Sequence, residues 1–379
     1  MMRKMDQIFI DNNAKDDPLT YRLMRSFDPE SIVFGNEAEL KTIFNEFSLS
    51  KGKRSIYLTR ARGRLLKTCQ GMQEPYLCCR LKVLSPISNC PICCSYCFLQ
   101  FYLNNPVTTV YTNISDFKEE VRDLSISQPR RLFRVTTGEL SDSLALDPET
   151  GMARQLVELV GKLPNVILEL KTKTARVDHL LGLDQVRRVV VSWSLNTARV
   201  VEEEERASSS LEARIEAARR ACSAGYLVGF HFDPLVCYSS WEQDYEDVIR
   251  RLFSKIDVDK VVWVSLGTLR FAPGMEGEMK RFFPGSKLAY GEFIKAADGK
   301  MRYIKPIRYE LYRRVVSLIR KYGGDEVFVY LCMEMPDAWE SVMDFVPESS
   351  EHLDYLFAKN IHTRFGSILP DHPIIDHYK

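Results

Sequence analysis

Three closely spaced cysteines are the residues of this chain best suited to chemistry. Cys90, Cys94 and Cys97 form a Cys-x3-Cys-x2-Cys array within one short stretch. Because the irons of an iron–sulfur cluster are bound by cysteine thiolates, these residues can hold three irons of a [4Fe-4S] cube. The fourth iron then has no protein ligand from the array, and an open position on a metal is where a substrate or cofactor binds. A zinc site is the alternative, but it would need four closed ligands, so the spacing favours the cluster.

Cys93 makes the choice of ligands ambiguous. Cys90-x2-Cys93 is also a redox-type spacing, and Cys93 could replace Cys94. The full three-cysteine pattern favours Cys94 and predicts that Cys93 is not a ligand. The chain has ten cysteines, an even number that would also fit disulfides. In a chain of this length without a secretion signal, metal binding or catalysis is the better interpretation of the clustered ones.

The overall composition is that of an ordinary globular protein. The 379 residues are 45% hydrophobic and 27% charged, and the formal net charge is +1. A global basic field for nucleic acid is therefore excluded, and any such contact must be local. No apolar run reaches the ~20 residues that span a bilayer, and the charged N-terminal start is not followed by a signal-peptide core. We therefore expect a cytoplasmic protein with no membrane partner.

Short apolar strands alternate with amphipathic helices from residue 81 onward. This rhythm indicates a parallel sheet covered by helices, and a polar or glycine residue follows each strand, where the active site of a barrel forms. The six predicted strands are Leu81–Leu84, Leu132–Thr137, Val166–Leu170, Val189–Trp193, Leu227–Phe232 and Val261–Leu266. The predicted fold is of the α/β class, an open partial (β/α)6 TIM-like barrel over residues 81–268 with the cysteine loop at its mouth. Residues 1–80 and 269–379 are N-terminal and C-terminal additions.

The two flanking regions carry features of their own. In the N-terminal region we predict short helices and polar turns, including a helix over Glu37–Phe47. The basic stretch Lys51–Lys67 either touches phosphates or is a solvated loop. In the C-terminal region, Gly291–Lys295 and Met301–Lys305 flank an Asp-Gly dipeptide, which predicts a β-hairpin. A helix and a last strand, Val327–Cys332, follow this hairpin.

The cysteine array, with Tyr96 just before its third cysteine and a partial barrel around it, resembles the radical S-adenosylmethionine (SAM) superfamily. In that superfamily SAM binds the open iron and is split to a 5′-deoxyadenosyl radical. A narrower resemblance, from about Gly63 onward, is to the spore photoproduct lyase family. The stretches that carry it are Gly138–Asp147, Glu169–Thr174, Ser192–Asn196, Gly229–Pro234, Gly299–Tyr303 and Tyr330–Glu334. This resemblance implies repair of a UV-induced thymine dimer, in which the radical removes a hydrogen, the dimer fragments, and a hydrogen is returned.

The resemblance also implies roles for individual residues. The matched positions are Cys90, Cys94 and Cys97 for the cluster, Tyr96 for the adenine, Ser141, Lys173 and Ser194 for SAM, and Arg302 and Tyr303 for the lesion. The implied cofactors are a [4Fe-4S] cluster and SAM. The implied partners are UV-damaged DNA and an external one-electron reductant of the flavodoxin or ferredoxin type.

Two positions depart from the family pattern, and both concern the return of the hydrogen. Glu139 stands where spore-forming members have the cysteine that returns it, and Phe98 stands where they have a tyrosine proposed as a radical relay. Cys79 and Cys237 are the candidate replacements for that cysteine. Gly138 and Glu139 also resemble part of the Gly-Gly-Glu motif of other radical SAM enzymes. That likeness implies that they hold the amino group of SAM.

Four side chains at strand ends admit two interpretations each. Lys173 is either a surface lysine or the partner of the SAM carboxylate, and Asp142 either bonds the ribose or caps a turn. His231 and Asp233 lie on one side of a strand, so they are either core groups or substrate contacts. For the whole protein, two alternatives remain: a radical SAM enzyme with a non-DNA substrate, and an iron–sulfur protein that binds nucleic acid without turnover.

Overall fold

An open, strongly curled sheet of eight strands forms the centre of the molecule and makes a partial, TIM-like barrel. The computed structural model describes residues 5–69, 71, 73–184, 186–366, 368 and 371–379. In spatial order the strands are Val329–Leu331, Val261–Thr268, Leu227–Leu235, Val189–Ser194, Val166–Thr172, Phe133–Thr136, Lys82–Leu84 and Leu66–Thr68. Neighbours are parallel except the last pair, which is antiparallel. The predicted fold class is confirmed.

The sheet forms because its strands are apolar on both faces. All residues of Val189–Ser194 and Val261–Thr268 are buried, as expected for parallel strands between a packed interior and a layer of helices. The longer helices are Ile114–Ser127, Met152–Val160, Leu211–Ser223, Trp241–Lys255, Lys305–Gly323 and Ser350–Phe365. Gly225 follows the third of these helices with a φ of +89°, a left-handed conformation that favours glycine at the end of a helix.

The sheet contains one parallel strand more than the six predicted. Val329–Leu331, predicted only as a last strand of the C-terminal region, pairs in parallel with Val261–Thr268 and is fully buried. The barrel stays open between this strand and Leu66–Thr68, and a bridge between Leu77 and Glu334 spans the opening.

The expectation of short helices and turns in the N-terminal region is incomplete, because a second sheet also lies there. Its strands, in spatial order, are Ile32–Gly35, Gln7–Asp11, Ser55–Thr59, Thr108–Tyr111 and Ile87–Ser88. The predicted helix is present as Glu37–Asn45 and starts with a capping box at Asn36. The basic stretch is a solvated loop only in part, since Ser55–Thr59 in its middle is a buried strand and residues 62–64 are exposed. Two strands of this sheet come from beyond residue 80, so the two sheets are interleaved along the chain.

The predicted β-hairpin is present in the C-terminal region. Phe293–Lys295 and Met301–Tyr303 pair antiparallel around the Asp298-Gly299 turn, and Arg270–Phe271 adds a third strand. The shorter helices of the chain are Pro18–Met24, Leu49–Gly52, Leu99–Tyr102, Asp147–Thr150, Ala198–Glu204, Met275–Phe282 and Pro336–Val342. Within the described residues, no helix has the length and apolar character needed to cross a bilayer.

Candidate active site

The three cysteines of the array lie together in a small apolar cluster after the strand Lys82–Leu84. Cys90 and Cys94 are buried and pack with apolar side chains of their own loop and with Ala145, while Cys97 is half-buried. Burial raises the pKa of Cys90 to about 12 and raises the pKa of Cys94 well above its usual value. Thiols that are hard to ionise in an apolar site become thiolates when a bound cation compensates the charge. This donor set fits the irons of a cluster.

The geometry differs from that of a single-ion site. Among the described residues, no three His, Cys, Asp or Glu side chains converge as a site for one metal ion would require. Thiolates that bind three different corners of a cube need no such convergence, because each of them contacts its own iron.

The cysteine loop is held on both sides by paired strands. On one side Ile87–Ser88, immediately before the array, is an edge strand of the N-terminal sheet. On the other side Cys93–Cys94 forms a two-stranded ribbon with Glu205–Arg206. The N–H of Ser95 also donates to the carbonyl oxygen of Glu204 at 2.8 Å. The loop is therefore positioned from both sides rather than projecting freely.

Lys53, just before the N-terminal strand Ser55–Thr59, reaches the cysteine loop. Its Nζ is buried and donates to the carbonyl oxygen of Cys90 at 2.6 Å and to Asn89 Oδ1 at 2.7 Å. Asn89 Oδ1 also accepts from the N–H of Cys90 at 2.8 Å. A positive charge thus lies beside a predicted cluster ligand. Nothing in the sequence separates Lys53 from the other cations of the basic stretch, so this contact is not predictable from the sequence.

Lys53→Met is expected to lower the reduction potential of the reconstituted cluster. The substitution keeps apolar bulk but removes a positive charge that stabilises the reduced, more negative cluster. It also leaves the Cys90 carbonyl without its donor, which costs about 1–3 kcal/mol of unfolding free energy. Potentiometric EPR titration and urea unfolding measure the two effects. Lys51→Met, at an exposed lysine over the Phe47 ring, is the matched control, and equal potentials in the two variants would contradict this role.

Glu205 is the centre of a buried charged network beside the cysteine loop. Its Oε2 accepts from Arg214 Nη2 at 2.5 Å, and its Oε1 accepts from Lys173 Nζ at 2.8 Å and from the Tyr96 hydroxyl. Burial alone would raise the pKa of Glu205, but Arg214 and Lys173 outweigh it and hold that pKa at about 2. Arg214 Nη1 also donates to the carbonyl oxygen of buried Ser194 at 2.8 Å. The network therefore connects three predicted SAM contacts.

Lys173 has one hydrogen-bond donor left for a ligand within this network. Its Nζ lies 3.0 Å from the Tyr96 hydroxyl in addition to its bond to Glu205. Because an ammonium has three donors, one remains, and the side chain is 16% exposed. Sequence reasoning missed Glu205, which ends a run of four glutamates at 202–205 that is typical of a solvated helix face.

The loop after Phe133–Thr136 holds further predicted SAM contacts. A Cβ on Gly138 would lie 2.7 Å from the Cβ of Lys171, so only glycine fits there. Ser141 Oγ is buried and has no hydrogen-bond partner among the residues that the structure describes. Buried hydroxyls are normally paired, so this atom suits a polar group of a ligand. Glu139 is half-buried and lies within electrostatic reach of Cys69.

Asp142 accepts hydrogen bonds from this loop and from the end of the neighbouring strand. Its Oδ1 accepts from the N–H groups of Leu144 and Ala145, both at 2.9 Å, and its Oδ2 accepts from that of Lys173 at 2.6 Å. Thr172 Oγ1 adds a fourth bond at 2.8 Å. These contacts favour the turn-capping interpretation of Asp142 over a ribose contact.

His231 and Asp233 each have an internal partner. His231 Nε2 lies 2.7 Å from Glu169 Oε1, and Ser192 Oγ donates to the same oxygen at 2.6 Å. Asp233 is held by both terminal nitrogens of Arg270, at 3.0 and 2.9 Å. His231 is therefore a bonded core group, whereas the Asp233 side chain keeps 26% of its surface exposed.

Acid is expected to remove the stability that Glu169 contributes. Burial raises its pKa, but His231 and Ser192 outweigh this and hold the pKa at about 2, below the value of about 4.3 for an unfolded chain. A depressed pKa stabilises the folded state above pH 4.3, and this stabilisation is lost as pH falls towards 2. Urea unfolding should show wild type and Glu169→Gln differing most at neutral pH and converging below pH 4. A difference that grows in acid would contradict the assignment.

Arg302 and Tyr303, which the resemblance assigns to the lesion, lie in the interior of the hairpin region. Arg302 is 1% exposed, and its Nη2 donates to Asp298 Oδ2 at 2.7 Å. Tyr303 is 2% exposed and stacks on Phe293 with ring centroids 4.7 Å apart. The rings of Tyr76 and Phe293 cover these two side chains, and their strand is the central one of three.

The same region brings two predicted residues together. The N–H of Cys237 donates to the Tyr303 hydroxyl at 3.3 Å, and the Cys237 thiol is half-buried. On the outer strand of the hairpin, Ile294 and Lys295 are the exposed residues. Arg302 and Tyr303, the residues predicted to contact substrate, thus lie on the strand next to this exposed outer strand.

The sequence matches a known protein family over a range that includes the cysteine loop. The profile of the family described as Spore photoproduct lyase matches residues 83–314, more than half of the chain. The chain belongs to the spore photoproduct lyase family. The matched range contains the predicted cluster, SAM and substrate residues, from Cys90 to Tyr303, and the predicted resemblance is confirmed.

Individual relatives agree with this membership. The spore photoproduct lyase of Clostridium acetobutylicum is 23% identical over 337 residues, which are 86% of this chain and 98% of that protein. The spore photoproduct lyase of Geobacillus sp. is 29% identical over 165 residues, 43% of this chain and 48% of that protein. A solved mutant spore photoproduct lyase with bound AdoMet and dinucleoside spore photoproduct has a TM-score of 0.77 at 21% identity, covering 87% of this chain and 100% of that chain. This last likeness shows the shared fold.

Proposed function

We propose that this chain is a radical SAM lyase that reverts the UV-induced thymine dimer called spore photoproduct. The observation that carries the proposal is the cysteine loop of a chain in the spore photoproduct lyase family. It presents three thiols in an apolar site, and the loop is fixed by the N-terminal sheet on one side and by the strand Glu205–Arg206 on the other. Cys90, Cys94 and Cys97 would hold a [4Fe-4S] cluster, and the loops that carry Ser141 and Lys173 would hold SAM.

When bound, the cluster and SAM supply the 5′-deoxyadenosyl radical that starts the reaction, and the protein supplies position. The unpartnered Ser141 hydroxyl offers SAM a hydrogen bond. The remaining donor of Lys173 offers the SAM carboxylate a charge-assisted bond, because Glu205 already fixes the direction of this side chain. Gly138 lets the loop approach the neighbouring strand at Lys171, where a larger residue would push it away.

The surface beside the cysteine loop carries aromatic side chains suited to bases. Phe98, Phe101 and Tyr102, directly after the third cysteine, are 45%, 46% and 61% exposed. Such rings stack on unpaired bases, and a base must leave the duplex stack to reach an enzyme's reacting groups. With a net charge of +1, contact with DNA is local. The exposed Ile294 of the hairpin is the candidate wedge.

Turnover of a synthetic dinucleoside spore photoproduct tests the proposal. The reconstituted and reduced protein is incubated with SAM and the photoproduct without oxygen, and thymidylyl-thymidine and 5′-deoxyadenosine are quantified by chromatography. Both products are expected from the wild type, and neither from a protein that lacks the cluster. Formation of 5′-deoxyadenosine without the thymine product, across several reductants, would reject the lyase assignment.

A radical SAM enzyme with a non-DNA substrate is the second candidate. It is favoured by Glu139 and Phe98, the two departures from the family pattern, and by the burial of Arg302 and Tyr303. The same experiment separates the two candidates, because this one cleaves SAM but forms no thymine. Both require an external one-electron reductant, for which we expect the flavodoxin or ferredoxin type, and for both we expect a cytoplasmic location.

A further inference from the structure

Lys171 is a charged residue on the interior face of the barrel. It lies on the strand Val166–Thr172, two residues after Glu169 and two before Lys173. Because side chains alternate between the two faces of a strand, these three residues share one face. Glu169 bonds to His231, two strands away across the interior. Lys171 therefore points into the barrel, one step below Lys173 and the mouth.

The start of the Lys171 side chain is fixed by the loop proposed to hold SAM. The N–H of Lys171 donates to Ser143 Oγ at 3.0 Å, and the N–H of Ser143 donates to the carbonyl oxygen of Lys171 at 3.0 Å. Gly138 of the same loop passes so close that an added Cβ would lie 2.7 Å from the Cβ of Lys171. In the sheet, Lys171 is opposite Ser192, whose hydroxyl bonds to Glu169 in the interior. Lys171 thus lies beside the site proposed for SAM.

The ammonium group of Lys171 has no fixed partner. The residue is half-buried, and its ammonium makes no hydrogen bond or ion pair with the residues that the structure describes. The carboxylates of this part of the interior have other partners, because Glu169 bonds to His231 and Asp233 is held by Arg270. Burial raises the pKa of Asp233, but the charges of Arg270 and Lys171 outweigh it and lower that pKa. An ammonium has three donors, and all three remain for a ligand.

Asp233 presents an acceptor on the same face of the sheet. It follows His231 by two residues on the strand Leu227–Leu235, so its side chain also enters the interior. The two terminal nitrogens of Arg270 donate to its two carboxylate oxygens at 3.0 and 2.9 Å, which fixes the plane of the carboxylate. Each oxygen can accept a further hydrogen bond, and 26% of the side chain is exposed. A donor and an acceptor are therefore both open to a substrate in the barrel.

We infer that Lys171 and Asp233 together bind the imide edge of one thymine of the photoproduct. Lys171 donates to a carbonyl oxygen of the ring, and Asp233 accepts from the ring N3–H. The inference rests on the proposed function and names how that substrate is recognised. The imide of a thymine presents one N–H between two carbonyl oxygens, so it requires an acceptor beside a donor. Enzymes that take a base out of the stack read it by hydrogen bonds to this edge.

The same pair of side chains discriminates between bases. A cytosine presents an amino donor and a ring-nitrogen acceptor at the corresponding positions. It would set donor against donor at Lys171 and acceptor against acceptor at Asp233, which is a repulsive contribution to specificity. With thymine both contacts are charge-assisted hydrogen bonds, which are stronger than those between neutral groups. The barrel interior therefore favours a substrate that carries an imide.

Binding of the dinucleoside spore photoproduct to Lys171→Met tests the donor. The reconstituted protein is loaded with SAM, kept oxidised, and titrated by calorimetry. Lys171→Met is expected to raise the Kd about tenfold or more, because a charged hydrogen bond is lost. Lys171→Arg, which keeps a charged donor, should recover part of the affinity. Unchanged affinity in Lys171→Met would overturn the inference.

Two controls separate substrate binding from a structural role. Lys359→Met removes an exposed lysine from the helix Ser350–Phe365, whose Asn360 bonds to Val262 at the amino end of a strand, away from the mouth. This variant should bind as the wild type does. In Lys171→Met, the cluster absorption and the 5′-deoxyadenosine formed without substrate should equal those of the wild type. A loss of affinity that comes with a loss of either would assign Lys171 a structural role and overturn the inference.

A photoproduct methylated at N3 of both rings tests the acceptor. The wild type is expected to bind it about tenfold or more weakly than the unmodified photoproduct, because Asp233 has no proton to accept. Asp233→Ala removes the acceptor and makes room for the methyl group, so the ratio of the two affinities should fall towards one. Equal affinities in the wild type, or an unchanged ratio in Asp233→Ala, would overturn the assignment.

The outcomes for the inference and for the proposed function are distinguishable. Repair of the photoproduct by the wild type, with equal affinity in Lys171→Met, rejects the inference and leaves the proposed function standing. SAM cleavage by the wild type without binding or repair of the photoproduct rejects the proposed function and, with it, the recognition of thymine by Lys171 and Asp233.

Discussion

Cys94→Ala is expected to abolish the visible absorption of the reconstituted cluster, whereas Cys93→Ala should leave most of it in place. Cys94 is 5% exposed and belongs to the apolar cluster that contains Cys90. Cys93 is half-buried on the same two-residue strand, where successive side chains point to opposite faces. One thiol therefore faces the other predicted ligands, and its neighbour faces away from them.

The matched pair makes this result decisive. Both variants lose one thiol from the same ribbon with Glu205–Arg206, so a general disturbance of the loop would affect them alike. Iron and sulfide content after anaerobic reconstitution should follow the absorption. A cluster that survives in Cys94→Ala and is lost in Cys93→Ala would reassign the ligands to the alternative Cys90-x2-Cys93 spacing.

Glu205→Gln is expected to lower the unfolding free energy by about 3–5 kcal/mol, because it leaves buried cations without their counter-charge. The side chains of Glu205 and Arg214 are fully inaccessible, and Lys173 depends on the same carboxylate. The neutral amide also fits poorly against the Tyr96 hydroxyl and Lys173 at once, since it replaces one acceptor oxygen by a donor group. The midpoint of urea unfolding, followed by circular dichroism, measures the change.

Glu216→Gln provides the control for this substitution. Glu216 forms an exposed ion pair with Arg219, one turn further along the helix Leu211–Ser223, and exposed pairs of this kind contribute little to stability. The two variants make the same chemical change at opposite extremes of burial. A loss for Glu205→Gln no larger than that of Glu216→Gln would show that the buried network does not hold the cysteine loop.

The parallel strands of the core could be predicted because each of them can be recognised from its own residues. Val189–Ser194 and Val261–Thr268 are mostly apolar, and a strand buried on both faces appears in the sequence as a nearly continuous apolar run. The N-terminal sheet could not be predicted in this way. Ser55–Thr59 lies among lysines and arginines, and Thr108–Tyr111 comes from another part of the chain. Pairing between such distant segments leaves no local pattern in either.

The same distinction between local and distant sequence signals applies to the residues of the site. The cysteine array is a local motif, so its residue types and spacing identify it. Glu205 and Lys53 act on that loop from 109 and 37 residues away in sequence, and no local signal marks them. Arg302 shows the converse, because its place beside a turn in the sequence gives no sign that its side chain is buried against its own carboxylate, Asp298.

EPR spectroscopy of the reduced protein with SAM tests the central claim most directly. If Cys90, Cys94 and Cys97 hold a [4Fe-4S] cluster with one open iron, addition of SAM should change the spectrum of the reduced cluster. SAM labelled with 17O in its carboxylate should then show hyperfine coupling to that iron, because it binds the open position. A spectrum that SAM leaves unchanged, in protein with a full complement of iron, would mean that the fourth iron is closed and would contradict the account.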